Sequence, residues 1–173
     1  MKTTLINPIR RKARWSATLA AIALTPLHFV PMAQGAPETG QPVGIKQYNL
    51  DSEKVALKGY DPVGYINDKA ALKGKKEIST EYQGVTYYFA TQDNRKLFTA
   101  SPEKYLPAYG GWCATAMAKG EKVQIDPSSF KVTSGRLFLF YNGLFGNAIK
   151  DWNKDESALT VKADAQWKKI SAQ

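Results

Sequence analysis

Histidine and cysteine are almost absent: the 173-residue chain holds one of each, His28 and Cys113. His28 lies in an N-terminal stretch that reads as an export signal, so the chain beyond it has no imidazole. That excludes Ser-His-Asp and Cys-His nucleophilic machinery, and histidine ligation of zinc, copper or haem. No paired-carboxylate or nucleophile motif takes its place, and the expectation is a protein without catalytic residues. A lone cysteine forms no intramolecular disulfide. Cys113 is therefore a buried inert thiol, a metal ligand, or a thiol that pairs with another molecule through an intermolecular disulfide.

Acidic residues are missing from the first 35 positions, where Lys2, Arg10, Arg11, Lys12 and Arg14 precede the apolar residues 15–30 (WSATLAAIALTPLHFV). Basic start, apolar middle and the small residues of Ala33-Gln34-Gly35 define a signal peptide over residues 1–35, cleaved before Ala36. The apolar run is shorter than the roughly 20 residues a membrane span needs and is broken by Pro26. The processed protein is expected to be periplasmic or secreted and not membrane-spanning. Arg10-Arg11 leaves the general and twin-arginine export routes both open.

Residues 1–35 hold five of the 24 Lys and Arg and none of the 15 Asp and Glu, which leaves 19 against 15 and a net charge of +4. The remaining lysines are scattered among acids rather than gathered on one element, so no nucleic-acid partner is expected. Residues 36–44 (APETGQPVG) read as a flexible leader, and residues 45–173 are long enough for one domain with its own core.

Within that domain, residues 54–58 and 63–66 read as extended, separated by the turn Gly59-Tyr60-Asp61-Pro62. Residues 78–82 and the aromatic, β-branched residues 84–90 read as strands. Thr91 is the N-cap of a helix over residues 92–100 with Leu97 and Phe98 on its apolar face, and Pro102 opens a short helix over residues 103–109. Gly110-Gly111 precedes a third helix, residues 112–119. Residues 130–133 and 136–141 flank Ser134-Gly135 as a hairpin. The remainder reads as helical, with Leu144, Phe145, Ile149 and Trp152 on one face, then Leu159, Ala163, Trp167 and Ile170 on another. The fold class is α+β: a small antiparallel sheet with several short helices and a C-terminal helix.

Three stretches carry a resemblance. They are Lys58-Gly59-Tyr60-Asp61-Pro62-Val63-Gly64-Tyr65; residues 82–90 followed by Asn94-Arg95, Phe98 and Pro102-Glu103-Lys104-Tyr105; and Tyr109-Gly110-Gly111-Trp112-Cys113-Ala114. With Lys162-Ala163-Asp164-Ala165-Gln166-Trp167 they make residues 50–170 similar to the exported, stand-alone YHS-domain proteins of bacteria. The resemblance implies a binding module, since related modules occur in proteins that handle copper and other heavy metals. The Tyr-His-Ser triplet that names the family is missing here, as are the additional cysteines of the metal-handling members.

Two constellations could carry chemistry. Cys113 and Met117, four apart in an expected helix, would place a thiolate and a thioether on one face, a soft donor pair suited to Cu(I) or another soft metal. In the first turn of that helix, unpaired backbone N–H groups would stabilise the thiolate. Equally, a free cysteine and a methionine one turn apart are ordinary core filling. Tyr60, Asp61, Tyr109 and Trp112 lie near Gly and Pro breaks, where an aromatic pocket with one carboxylate would take a small planar or cationic ligand. The bland alternative is that the rings pack inward and Asp61 fixes its own turn. Two functions follow from the sequence: a periplasmic YHS-type protein binding a soft metal through Cys113 and Met117, and a structural or interaction module that docks on a cell-envelope partner without metal.

Overall fold

The runs richest in aromatic and β-branched residues do pair as strands. In a computed structural model that describes residues 44–173, β1 (Lys75–Tyr82) and β2 (Val85–Phe89) form an antiparallel hairpin. A second hairpin joins β3 (Asp126–Thr133) and β4 (Arg136–Phe140), and a two-residue pair, β5 (Asn142–Gly143) with β6 (Gly146–Asn147), follows at once. Among the described residues these are three separate two-stranded ladders rather than one sheet. Ser134 and Gly135 turn the β3–β4 hairpin with φ of 51° and 77°, the two left-handed positions that a tight turn needs to match strand twist.

Helices fill the spaces between hairpins. Thr91 caps α1 (Gln92–Ala100) by accepting the Asn94 N–H, as its sequence position predicts. α2 (Ala114–Met117) and α3 (Ile149–Trp152) are single turns, and α4 (Glu156–Ser171) is the long C-terminal helix, capped by the Asp155 carboxylate. Among the described residues no helix is long and apolar enough to cross a membrane.

Five expectations are corrected. Of residues 54–58, read as extended, only Val55 and Ala56 make strand-like bridges, and Leu57–Gly59 is a tight turn with left-handed φ at Leu57 and Lys58. Residues 63–66 are not extended: Pro62 and Val63 are helical and Gly64–Asp68 continues as a π-turn, because the Asp61 carboxylate accepts the first N–H groups of that turn. Residues 103–109 are not one helix but two tight turns, Pro102–Lys104 and Ala108–Gly111. The third helix is four residues, not eight, with Cys113 outside it as the N-cap. Leu144 and Phe145 do not sit on a helix face; they are the tip of the β5–β6 hairpin. The signal peptide over residues 1–35, and the leader up to residue 43, lie outside the described residues.

The core has two parts, and β4 divides them. Successive side chains along a strand point to opposite faces. Leu137 and Leu139 enter one cluster with Val63, Tyr65, Val85, Tyr87, Phe89 and Phe98, whereas Phe138 and Phe140 enter the other with Tyr109, Ala114, Trp152 and Ala163. In the first cluster Phe98 packs on Tyr87 and Phe89 at ring centroid distances of 4.8 and 5.2 Å. In the second Trp152 lies 5.2 Å from Phe138 and 5.7 Å from Phe140. α4 closes this second cluster through Ala163, with Leu159, Trp167 and Ile170 packed beside it.

Candidate functional site

Asp61 is fully buried and consumed by the fold. Its Oδ1 accepts the N–H groups of Val63 at 2.8 Å and Gly64 at 3.3 Å, and its Oδ2 accepts Ala90 N–H at 2.8 Å and Asn94 Nδ2 at 2.6 Å. One carboxylate thus ties the π-turn to the end of β2 and the start of α1, and its lone pairs are spent on these donors. Tyr60 beside it is half-buried against the first cluster, with the Lys73 ammonium 4.6 Å from its ring centre. Tyr65, its neighbour in the turn, donates its hydroxyl to the Pro127 carbonyl at 2.9 Å. Burial, with smaller contributions from Tyr60, Asp126 and Asp61, pushes the Tyr65 phenol up.

Tyr109 and Trp112 stand on a different turn. Tyr109, Gly110 and Gly111 have φ of 57°, 59° and 86°, a left-handed run held by Asn49, whose N–H donates to the Gly110 carbonyl and whose Nδ2 donates to the Gly111 carbonyl at 3.0 Å. Gly110 is required twice over, by its φ and because a Cβ there would stand 2.8 Å from the Trp167 ring. The buried Tyr109 hydroxyl donates to Asp164 Oδ1 at 2.9 Å, and Arg136 forks onto the same carboxylate at 2.7 and 3.1 Å. Hydrogen bonds from Arg136, then Tyr109, hold the Asp164 carboxyl below its ordinary 3.8 against the opposing effect of burial. Trp112 is half-buried: its Nε1 donates to the Gln47 carbonyl at 2.7 Å, and Lys122 approaches its ring. Tyr60 packs with the first cluster, Asp61 bonds the turn beside it to the end of β2 and α1, and Tyr109 and Trp112 pack with the second cluster.

The two sulfurs are also divided. Cys113 is 1 % exposed and extended, bridged to Leu139 with its N–H on the Val123 carbonyl, and it enters the first cluster. Met117 is 0 % exposed and enters the second. The four-residue spacing puts side chains on one face only when both are helical, and Cys113 precedes the helix. Among the described residues no three His, Cys, Asp or Glu side chains gather into a metal-holding group. A soft ion taken by both sulfurs would have to draw two fully buried side chains out of two different clusters.

The open features lie elsewhere, at residues the sequence reading did not single out as a site. A groove of about 540 Å³ runs between the β3–β4 turn and α4, with Phe138 and Val161 as its apolar lining and Arg136, Glu156, Ser134 and Thr160 as its polar one. None of the six sequence candidates lines it. Burial pushes the Glu156 carboxyl up, but hydrogen bonds from Lys131, Thr133 and Trp152 more than reverse this and leave it below 4.5. Trp152 Nε1 and Glu156 Oε1 are nonetheless buried without a partner at good hydrogen-bond geometry, so the Trp152 contribution is a loose one. At the far end of the β3–β4 hairpin, Leu144 and Phe145 stand 92 % and 91 % exposed on the β5–β6 tip. Asn142-Gly143 and Gly146-Asn147 on either side carried the signal, since such residues flanking two apolar ones build a short hairpin.

Fold and site together define a small α+β module whose middle segment is a hairpin, a capped helix and two tight turns. The family model of the YHS domain matches residues 63–109, and that segment of the chain is similar to the YHS domain. The match takes in the π-turn, the first hairpin, α1 and Tyr109, and ends before Trp112, Cys113 and Met117. No curated protein and no solved structure matches the chain.

Proposed function

We propose that this protein is a non-catalytic, exported YHS-type module that acts by contact with another macromolecule in the cell envelope. The observation that carries the proposal is the β5–β6 tip, where two large apolar side chains are held out in solvent at 92 % and 91 % exposure on a short paired stalk. A leucine and a phenylalanine so displayed serve neither core cluster, and apolar side chains gain free energy only when something covers them. The candidate aromatic and acidic side chains, by contrast, already have structural partners.

A photo-crosslinking residue placed at position 145 in the living producer is expected to give adducts in the envelope fraction. The same probe at position 97 on α1, where Leu97 is 44 % exposed, is the control and is expected to give few. Equal labelling from both positions would end the proposal. The fractionation also tests export, because the account expects the protein outside the cytoplasm with a new N-terminus at residue 36.

The competing reading is a periplasmic binder of Cu(I) or another soft metal through Cys113 and Met117. The relation of YHS-type modules to copper handling favours it, and the free thiol of Cys113 supplies one donor. It requires both sulfurs to leave the core and predicts stoichiometric copper that Cys113→Ser abolishes.

A further inference from the structure

We propose that the surface covering the Leu144–Phe145 tip is an anionic phospholipid bilayer, which the tip enters as a small wedge. The inference rests on the contact reading above and names its partner.

Three observations lead to it, and the first is area. Two side chains on a two-residue stalk cannot bury the roughly 1,200 Å² of a specific protein interface, whereas a bilayer needs no matching surface. Two strand residues lift the tip about 7 Å beyond Tyr141, within the roughly 5–10 Å depth at which apolar groups sit between lipid headgroups and acyl chains.

The second observation is what the projection lacks. Residues 137–149 carry no charge, and the exposed ones among them are Asn142, Gly143, Leu144, Phe145 and Gly146. No ionised group is dehydrated when the tip enters hydrocarbon. Its peptide groups are partly satisfied as well, since Asn142 pairs with Asn147, Gly143 pairs with Gly146, and the Phe145 N–H reaches the Tyr141 hydroxyl at 3.4 Å. Tyr141 is half-buried at the root of the stalk, an aromatic ring with a polar end where the headgroups would lie.

The third is the charge behind the tip. α3 follows β6 after one residue, and α2 packs on it. Lys119, just past α2, and Lys150, in α3, are exposed and form no ion pair among the described residues, while Asp151 is taken by Lys154. Their ammonium groups attract anionic headgroups once the tip sets the module against a membrane. The acid at the root of the stalk, Asp126, already accepts from Asn142 and Ser128 and has Lys58 near it.

So small a wedge binds weakly and reversibly. The test is flotation with vesicles of phosphatidylglycerol and phosphatidylethanolamine, and with vesicles of phosphatidylcholine alone, on the protein as the expression host delivers it. Phe145→Asp and Lys150→Glu are run alongside, with Val161→Asp on α4 as the control for a new acid at an exposed apolar position. All three positions are exposed, and a circular-dichroism melt checks that the fold is kept. Every variant has the same N-terminus, so a difference from wild type belongs to the substituted residue.

The wild type is expected to float with the anionic vesicles, and Val161→Asp to float with it. Phe145→Asp is expected to lose about tenfold or more in partitioning onto them, and Lys150→Glu to lose the preference for anionic over phosphatidylcholine vesicles. An environment-sensitive dye on Phe145→Cys is expected to shift to the blue with anionic vesicles and to be quenched by brominated acyl chains; Cys113, 1 % exposed, escapes the label.

A wild type that does not float overturns the proposal, as does a Phe145→Asp variant that floats like it or a Lys150→Glu variant that keeps the full anionic preference. If the wild type stays off both vesicles yet the position-145 probe captures an envelope protein, lipid is wrong as the partner while the contact reading stands. A wild type that dimerises in solution without lipid, and is made monomeric by Phe145→Asp, assigns the tip to a second copy and likewise overturns the proposal.

Discussion

Asp61 shows why a lone carboxylate among tyrosines was ambiguous. Its burial at 0 % exposure is tolerable only because four donors from three segments converge on it. Asp61→Asn keeps the shape but replaces one acceptor oxygen with an amide that meets donors. The expected cost is about 3 kcal/mol in a chemical-denaturation midpoint, and a change under about 0.5 kcal/mol would contradict the assignment. Asp164 gives a pH signature. Its folded carboxyl lies below the unfolded 3.8, so the Arg136 and Tyr109 contacts contribute stability above that value and lose it as pH falls through the lower folded one. Asp164→Asn should therefore be less stable than wild type at neutral pH, with the gap closing below pH 3.8 in thermal melts. The carboxylate is partly exposed, so the gap is modest and shrinks with salt.

At the scale of elements, local chemistry that agrees with tertiary packing was legible. The β-branched and aromatic residues 84–90 became β2, Thr91 capped α1, Ser134-Gly135 turned a hairpin, and Ala163 with its neighbours faced α4 inward. Two of the failures come from spacing rules applied to residues that are not helical. Leu144, Phe145, Ile149 and Trp152 fit a helical stripe, but the glycine and asparagine residues on either side of the first two drive a hairpin instead. Cys113 and Met117 fit a one-turn pair, but the helix begins one residue too late. Leu97 was assigned to the apolar face with Phe98, and only Phe98 is buried. Pro62 after Asp61 signalled a helix start as well as a turn, and only the Asp61 contacts show which. Gly110 tests the element-level account, since it sets the contact between a left-handed turn and α4. Gly110→Ala should cost about 2 kcal/mol and lower the melting temperature. An unchanged melt would mean that Trp167 does not press on that turn.

For the whole molecule, β4 lies between the packing environments of two sulfur-bearing residues that are four apart in sequence. Its alternating Leu and Phe side chains separate two cores; Cys113 belongs to one and Met117 to the other. Among the described residues the most exposed large apolar side chains are Leu144 and Phe145 at the β5–β6 tip, and a groove opens beside α4. Burying both tip residues contributes about 3–6 kcal/mol before the cost of association, which fits a transient rather than a permanent partner. The measurement that tests this most directly is a Cu(I) competition titration on the processed protein, with Cys113→Ser and Met117→Leu beside the wild type. The account predicts no stoichiometric copper and three superimposable curves. One copper per chain in the wild type, lost in both variants, would contradict it and make the buried sulfurs the functional centre.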